Sequence, residues 1–270
     1  MGCVSGLEGD RFKKLLELTV DRFLSVNSKT TKIILCLPAQ NTSRYAQLSE
    51  TLNKTWVPRS SRGMTDLDRR VTELNPEMTD AQSIHFVHEN DNVIEHFLKA
   101  QHLLQTGVYD RIIFGGIDSF MSLKAIREFE RTKGSIRRQG HADAPLLGEG
   151  AVFIELTQNM PLIGVCMNVR DAVHHQDAAY WITDRGVRLR DEFAWAEWLK
   201  QAKGNFGLKQ ELHLQKWVGY LGAAQFPLQL ALGFHWGKVL ANKGIDAPMI
   251  LASQNNGTLL TLQPHRLLKH

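Results

Sequence analysis

The chain is poor in cysteine. Its 270 residues hold three, Cys3, Cys36 and Cys166, an odd number without regular spacing. That excludes the disulfide framework on which small secreted domains depend. Cys36 lies in Ile33-Ile34-Leu35-Cys36-Leu37 and Cys166 in Leu162-Ile163-Gly164-Val165-Cys166-Met167. Both read as small buried hydrophobes, and a reduced, cytoplasmic setting is expected. Long apolar runs are also lacking. No stretch reaches the ~18 apolar residues of a membrane span, and the N-terminus has no apolar signal-peptide core. Met1-Gly2-Cys3 opens like a lipidation signal, but Gly6 stands where the myristoylation pattern wants Ser or Thr. Eight prolines and 21 glycines are too few for a fibrous or disordered chain. Charge of one sign is lacking too, with 32 basic against 28 acidic residues. The basic residues gather only around Lys133, Arg137 and Arg138 and at Arg185, Arg188 and Arg190. Clusters that short read as solvated faces, so nucleic-acid binding is not expected.

What is present is an ordinary globular composition, 43% hydrophobic, in a chain long enough to bury about three quarters of its unfolded surface. Phe12, Leu15, Leu16, Val20, Phe23 and Leu24 recur at helical spacing. A strand is predicted over 32–37, ended by Pro38, and a helix near 45–52. Residues 57–80 read as a surface excursion. A strand at 84–87, a helix at 91–105 stopped by Gly107, and a strand at 111–114 closed by Gly115-Gly116 form a βαβ unit, which implies a parallel pair. A helix is predicted at 121–132, capped by Asp118-Ser119, then a strand at 151–156. Further strands are predicted at 162–169, 180–183, 211–217, 248–253 and 258–262, and helices at 190–202 and 223–241. Nine strands interleaved with helices make an α/β protein.

Several familiar chemistries fail on spacing. Gly115-Gly116-Ile117-Asp118-Ser119 lacks the glycine-to-lysine spacing of a phosphate loop, and Ser119 has no Gly-x-Ser-x-Gly around it. His85 and His88, three apart on a strand, point to opposite faces and share no metal. His174-His175-Gln176-Asp177 resembles an acyltransferase His-His motif but has Ala179 where the aspartate should be. Trp195 and Trp198 share a helix face and read as core, with a partner surface as the alternative. Neither a cofactor nor a metal is expected.

Three motifs remain. Gly107-Val108-Tyr109-Asp110 precedes Arg111-Ile112-Ile113-Phe114-Gly115-Gly116. Gly148-Glu149-Gly150-Ala151 opens the strand Val152 to Leu156. Gly222-Ala223-Ala224 opens a long helix. In this order they resemble the β-ketoacyl synthases, over about residue 10 to the end. The resemblance implies a thiolase-like, layered αβαβα fold of two similar halves, here 1–158 and 159–270. It also implies that the first strand and helix of a full-length member are missing, a truncated N-terminus. A dimer is implied, with itself or with a related thiolase-fold chain.

A condensing enzyme of this kind needs a thiolate at a helix N-terminus, where the helix dipole lowers its pKa. It also needs two imidazole or amide groups to drive decarboxylation and hold an oxyanion. The resemblance places the nucleophile at Asn90, seventeen residues before Gly107. It places the first histidine at Thr183, in a stretch where Gly186 and Asp191 keep the register, and the second at Gly219. The family's lysine falls on Leu214, and its glycine-rich loop is reduced to Gln254-Asn255-Asn256-Gly257. None of these residues attacks or holds a thioester. The expectation is therefore a catalytically inactive β-ketoacyl-synthase-like protein acting as a binding, partner-subunit or scaffold protein. Two alternatives stay open. One is a divergent acyltransferase working on acyl thioesters or an acyl carrier, with His88, Glu89 or Asp184 as acid or base. The other is an accessory protein of a bacterial secretion system.

Overall fold

The computed structural model describes residues 31–56, 84–89, 91–133, 145–158, 163–166, 180–184, 193–197, 200, 210–245, 249–253 and 258–262. Cys3, the helix at 12–24, the excursion at 57–80, Asn90, His174, His175 and the loop at 254–257 lie outside the described residues.

The chain divides into two compact units. The first takes Met1–Gly134, Gly148–Gln158 and Leu221–Ala224; the second takes Ser135–Leu147, Asn159–Tyr220 and Gln225–His270. The first unit holds a four-stranded sheet in the order β2-β1-β3-β4, with β1 at Thr31–Leu37, β2 at Ile84–His88, β3 at Arg111–Ser119 and β4 at Glu149–Thr157. β1 pairs parallel with both β2 and β3, and β4 runs antiparallel to β3. The strands of the expected βαβ unit are thus parallel but not neighbours, because β1 lies between them.

The strand expected to stop at Gly115-Gly116 instead runs through both glycines to Ser119. Gly115 sits opposite Phe153 of β4, and a Cβ there would come within 2.8 Å of Phe153 Cε1. The missing side chain is the bed for an aromatic ring across the ladder, so Gly115 packs the sheet rather than turns it.

The helices follow their caps. In α1, Ser43–Trp56, Thr42 Oγ1 accepts from Tyr45 N at 3.2 Å. In α2, Val93–Gln105, Asn92 accepts from Glu95 N, and Ile94, Phe97, Ala100 and Leu104 are buried. Phe97 meets Phe114 of β3 edge-on at 5.4 Å. In α3, Leu123–Lys133, the cap is Ser122, whose Oγ accepts from Ala125 N at 3.1 Å. Asp118 and Ser119 were expected there, but both belong to β3 and are buried.

The second unit holds a five-stranded sheet in the order β5-β9-β8-β6-β7. Its strands are β5 at Ile163–Cys166, β6 at Tyr180–Thr183, β7 at Gln210–His213, β8 at Met249–Ser253 and β9 at Thr258–Leu262. β6 pairs parallel with β7 and β8, β9 runs antiparallel to β8, and β5 antiparallel to β9. The series β7-β6-β8-β9 repeats β2-β1-β3-β4 in chain order, neighbour order and direction, with β5 added at one edge. The strand expected over 211–217 ends at His213 and gives way to helix α4, Leu214–Val218. The sequence Leu-Gln-Lys has good helix formers, and Gln215 Nε2 donates to Asp184 O at 2.8 Å, drawing the turn inward. A 3₁₀ turn at Gly222–Ala224, part of the first unit, leads into α5, Gln225–Asn242, with Pro227 in its first turn. Gln229 Nε2 of α5 donates to Ile182 O of β6 at 2.7 Å. Trp195 is buried edge-on against Trp181 at 6.1 Å, the packing role expected of it.

Candidate functional site

The carboxyl ends of parallel strands are where open α/β sheets place ligands, and both units gather polar side chains there. In the first unit Arg44, from the first turn of α1, is the hub. Its Nη2 pairs with Glu89 Oε2 at 2.5 Å and its Nη1 with Asp118 Oδ2. The guanidinium lies 4.2 Å from the centroid of the Phe120 ring, a cation–π contact that suits a desolvated arginine. Asp118 is fully used. Its Oδ2 also accepts from Ala223 N at 2.9 Å, and its Oδ1 from Ser119 N at 2.8 Å. Burial pushes this carboxyl up to about 7; Arg44 opposes the shift and the nearby Glu89 adds to it.

The second and third sequence motifs meet here, at the end of the strand that carries the glycines of the first. Asp118, three residues beyond Gly115, holds the Gly222-Ala223-Ala224 turn through the Ala223 amide. Gly222 has φ +52°, and a Cβ there would overlap Asp118 Oδ2 and come within 2.7 Å of Arg44 Nη1. Gly148 O accepts from Phe120 N at 3.1 Å, and Glu149 Oε2 accepts from Ser119 Oγ at 3.3 Å. Gly150 faces Leu221 and Ala224, whose atoms lie 3.5–4.0 Å from where its Cβ would stand. Motifs far apart in sequence therefore form one buried clasp.

His88 ends β2 and Glu89 follows it. His88 Nδ1 lies 3.1 Å from Pro38 O, and its Nε2 lies 3.0 Å from Gln40 Nε2. With a carbonyl on one side and an amide nitrogen on the other, the contacts suit the ring tautomer that carries its proton at Nδ1. Glu89 is ion-paired with Arg44. Neither is free to take a proton from a substrate. His85 turns the other way, its Nε2 3.0 Å from His96 Nδ1.

In the second unit Thr183 and Asp184 stand at the end of β6. Thr183 is completely buried, and its Oγ1 donates to Glu211 Oε1 at 2.8 Å. It pairs in register with His213 of β7, a buried histidine at the N-cap of α4. Asp184 is buried as well. Gly219 closes α4 with φ +78°. A Cβ there would come within 2.9 Å of Leu146 O, an atom fixed by a 2.7 Å hydrogen bond from Tyr220 N. The backbone admits only glycine at 219, so an imidazole has no place there.

Sequence reasoning missed Arg44, Asp118, Glu211 and His213. An aspartate inside an otherwise apolar strand was the available signal for Asp118. Glu211 and His213 alternate on one strand face, but extending that strand to 217 hid their position at its end. Nothing in the sequence marks Arg44.

Cys36 lies inside β1, 3% exposed. Burial pushes its thiol well above the usual range, and Asp91 adds to the rise, so the thiolate that attacks thioesters is suppressed. Among the described residues no group of three or more His, Cys, Asp or Glu could hold a metal ion. None of the described helices is long and apolar enough to cross a membrane.

No protein-family model and no curated protein matches the sequence. Solved structures do match the fold. A ketosynthase of a type II polyketide synthase, solved in complex with its acyl-carrier protein and bound to a hexaketide, superposes with a TM-score of 0.58 at 12% identity, covering 97% of this chain and 86% of that one. The ishigamide ketosynthase/chain length factor gives 0.52 at 14% identity, over 87% and 73%. The ketosynthase from module 6 of the bacillaene synthase of Bacillus subtilis 168 gives 0.54 at 11% identity, over 88% and 53%. The fold is therefore thiolase-like, of the β-ketoacyl synthase kind.

Proposed function

We propose that the chain is a catalytically inactive β-ketoacyl-synthase-like protein that works by binding, as a partner subunit or scaffold. The observation that carries this reading is Gly219. Its left-handed backbone and the Leu146 carbonyl beneath it exclude the imidazole that condensation requires there. Thr183 supports the reading, since its hydroxyl is buried and committed to Glu211. A threonine cannot supply the N–H that holds a developing oxyanion and returns a proton at neutral pH. Asn90, the counterpart of the nucleophile, has no acyl-accepting atom.

The partner of this reading is a protein: a second copy, a related thiolase-fold chain, or an acyl carrier such as the one that accompanies the type II ketosynthase. A bacterial, cytoplasmic setting belongs to the same proposal. The divergent-acyltransferase alternative needs a free acid or base. His88 and Glu89 are tied to Pro38, Gln40 and Arg44, which weighs against it.

The test is a condensation assay with malonyl and acyl thioesters on the purified protein. The reading expects no product above the background without protein. Product that disappears on substitution of one residue overturns it.

A further inference from the structure

We infer that Trp217 and Val218 of α4, with Leu146 beside them, form a knob that inserts into an anionic lipid surface. The inference goes beyond the binding reading above and holds whether or not the chain condenses thioesters. Trp217 is 78% exposed, the most exposed of the large hydrophobic residues described, and Val218 and Leu146 are each 43% exposed. Tryptophan is on average a highly buried side chain, so its display here needs a cause.

The knob is held in place at both ends, and all of its parts belong to the second unit. Leu214 and Gln215 are buried at the start of α4, and Gln215 is bonded to Asp184 O. At the other end Gly219 turns the chain with φ +78°, and Tyr220 N donates to Leu146 O at 2.7 Å. Leu147 extends that link as a parallel bridge to Tyr220. The helical turn between these anchors projects Trp217 and Val218 outward with little conformational freedom left to lose on binding.

Size and charge select the occupant. The three side chains offer apolar surface on the order of 300 Å², against the ~800 Å² that each side of a stable protein interface buries. A second copy meeting this patch with its own is therefore undersized. The knob is also a projection, whereas small molecules are held in concave sites. A bilayer makes neither demand: an indole seats at the headgroup level with aliphatic side chains beneath it. The second unit carries fourteen Lys and Arg against nine Asp and Glu, while the first carries eighteen against nineteen. The unit that bears the knob is thus the cationic one, which suits anionic headgroups. Val218 and Leu146 distinguish this surface from one for nucleic acid, where bases stack on bare aromatic faces.

The test uses the full chain and unilamellar vesicles of phosphatidylcholine, alone or with phosphatidylglycerol at ~30 mol%. Binding is read by co-sedimentation, and insertion by quenching of tryptophan fluorescence with brominated acyl chains. The knob variant is Trp217→Ser with Val218→Ser. The control is Val108→Ser, which removes an exposed apolar side chain from the first unit, and circular dichroism checks that both fold. Trp217→Phe keeps an apolar ring, removes the indole that reports insertion, and keeps the test open where the serine variant does not fold. The expected result is binding to the anionic vesicles, weakened ~10-fold by the knob variant and less than about twofold by the control. Quenching by the brominated chains is expected in the wild-type chain and largely lost in Trp217→Phe. No binding by the wild-type chain overturns the inference, as does equal loss in variant and control or quenching that Trp217→Phe leaves unchanged. Equal binding to neutral and anionic vesicles overturns the choice of an anionic surface. A dimer in sedimentation equilibrium, or binding of a single-stranded oligonucleotide, that the knob variant abolishes in the absence of vesicle binding overturns the inference in favour of that occupant.

Discussion

Replacing Gly222 with alanine tests whether the clasp at Asp118 holds the first unit together. Gly222 has φ +52°, and an L-residue in the left-handed region costs about 1–2 kcal/mol. The steric clash costs more. The new Cβ overlaps Asp118 Oδ2 and lies 2.7 Å from Arg44 Nη1 and 2.9 Å from Asp118 Cγ. Both side chains are packed in place, so relief means breaking the Asp118–Ala223 bond or the Arg44–Asp118 pair. The cheaper relief, an unmade buried hydrogen bond, costs about 1–3 kcal/mol. With the backbone cost the total is about 2–5 kcal/mol, a large share of the ~5–15 kcal/mol that holds a typical domain together. Gly107→Ala is the internal standard. It lies in the same unit with φ +72°, but its nearest neighbour, Gln158 Nε2, is 3.9 Å away, so only the backbone cost of about 1–2 kcal/mol applies. The measurement is urea unfolding followed by far-ultraviolet circular dichroism. Equal losses in the two variants refute the clasp. So does strict additivity of Gly222→Ala with Asp118→Ala, because removing the carboxylate takes away the closest clash and frees Arg44 to shift from the Cβ.

Three further outcomes follow from the same geometry. The folded-state pKa of Asp118 is about 7 against an ordinary 3.8, so the fold keeps a proton that the unfolded chain releases. The stability it contributes is complete below pH ~4 and lost as pH rises through 7, by roughly 2–3 kcal/mol between pH 5 and 8. Chemical unfolding across that range should show a drop that Asp118→Asn flattens, and an identical slope in both proteins contradicts it. Cys36 should resist iodoacetamide in the native chain and react once unfolded, as read by peptide mass mapping; native alkylation contradicts its burial. Gly219→His should lower the unfolding midpoint, by the left-handed penalty of about 1–2 kcal/mol plus the clash with Leu146 O. It should restore no condensation, and a stable, active variant contradicts the account of that turn.

Much of the architecture was legible because β-branched runs and helical periodicity act locally. The order of strands and helices and the resemblance carried by three glycine motifs all came from residues near one another in the chain. What was hidden depends on partners distant in sequence. Gly115-Gly116 reads as a turn until Phe153, 38 residues later, is seen lying over it. Asp118 reads as a helix cap until it is found holding Ala223, 105 residues away. The run at 211–217 alternates well enough for a strand, but the Gln215–Asp184 bond favours a helical turn after His213. The same long-range logic gives the motifs their meaning: they fit one another, whether or not any chemistry is performed beside them.

The central claim is that this scaffold binds without condensing. Its most direct test is single-turnover incubation of the purified chain with a radiolabelled acyl thioester, followed by mass analysis of the intact protein and by addition of a malonyl thioester. The account expects no covalent acyl adduct and no β-ketoacyl product at any pH between about 6 and 8. An acyl group attached to one residue and passed to the malonyl carbon contradicts it.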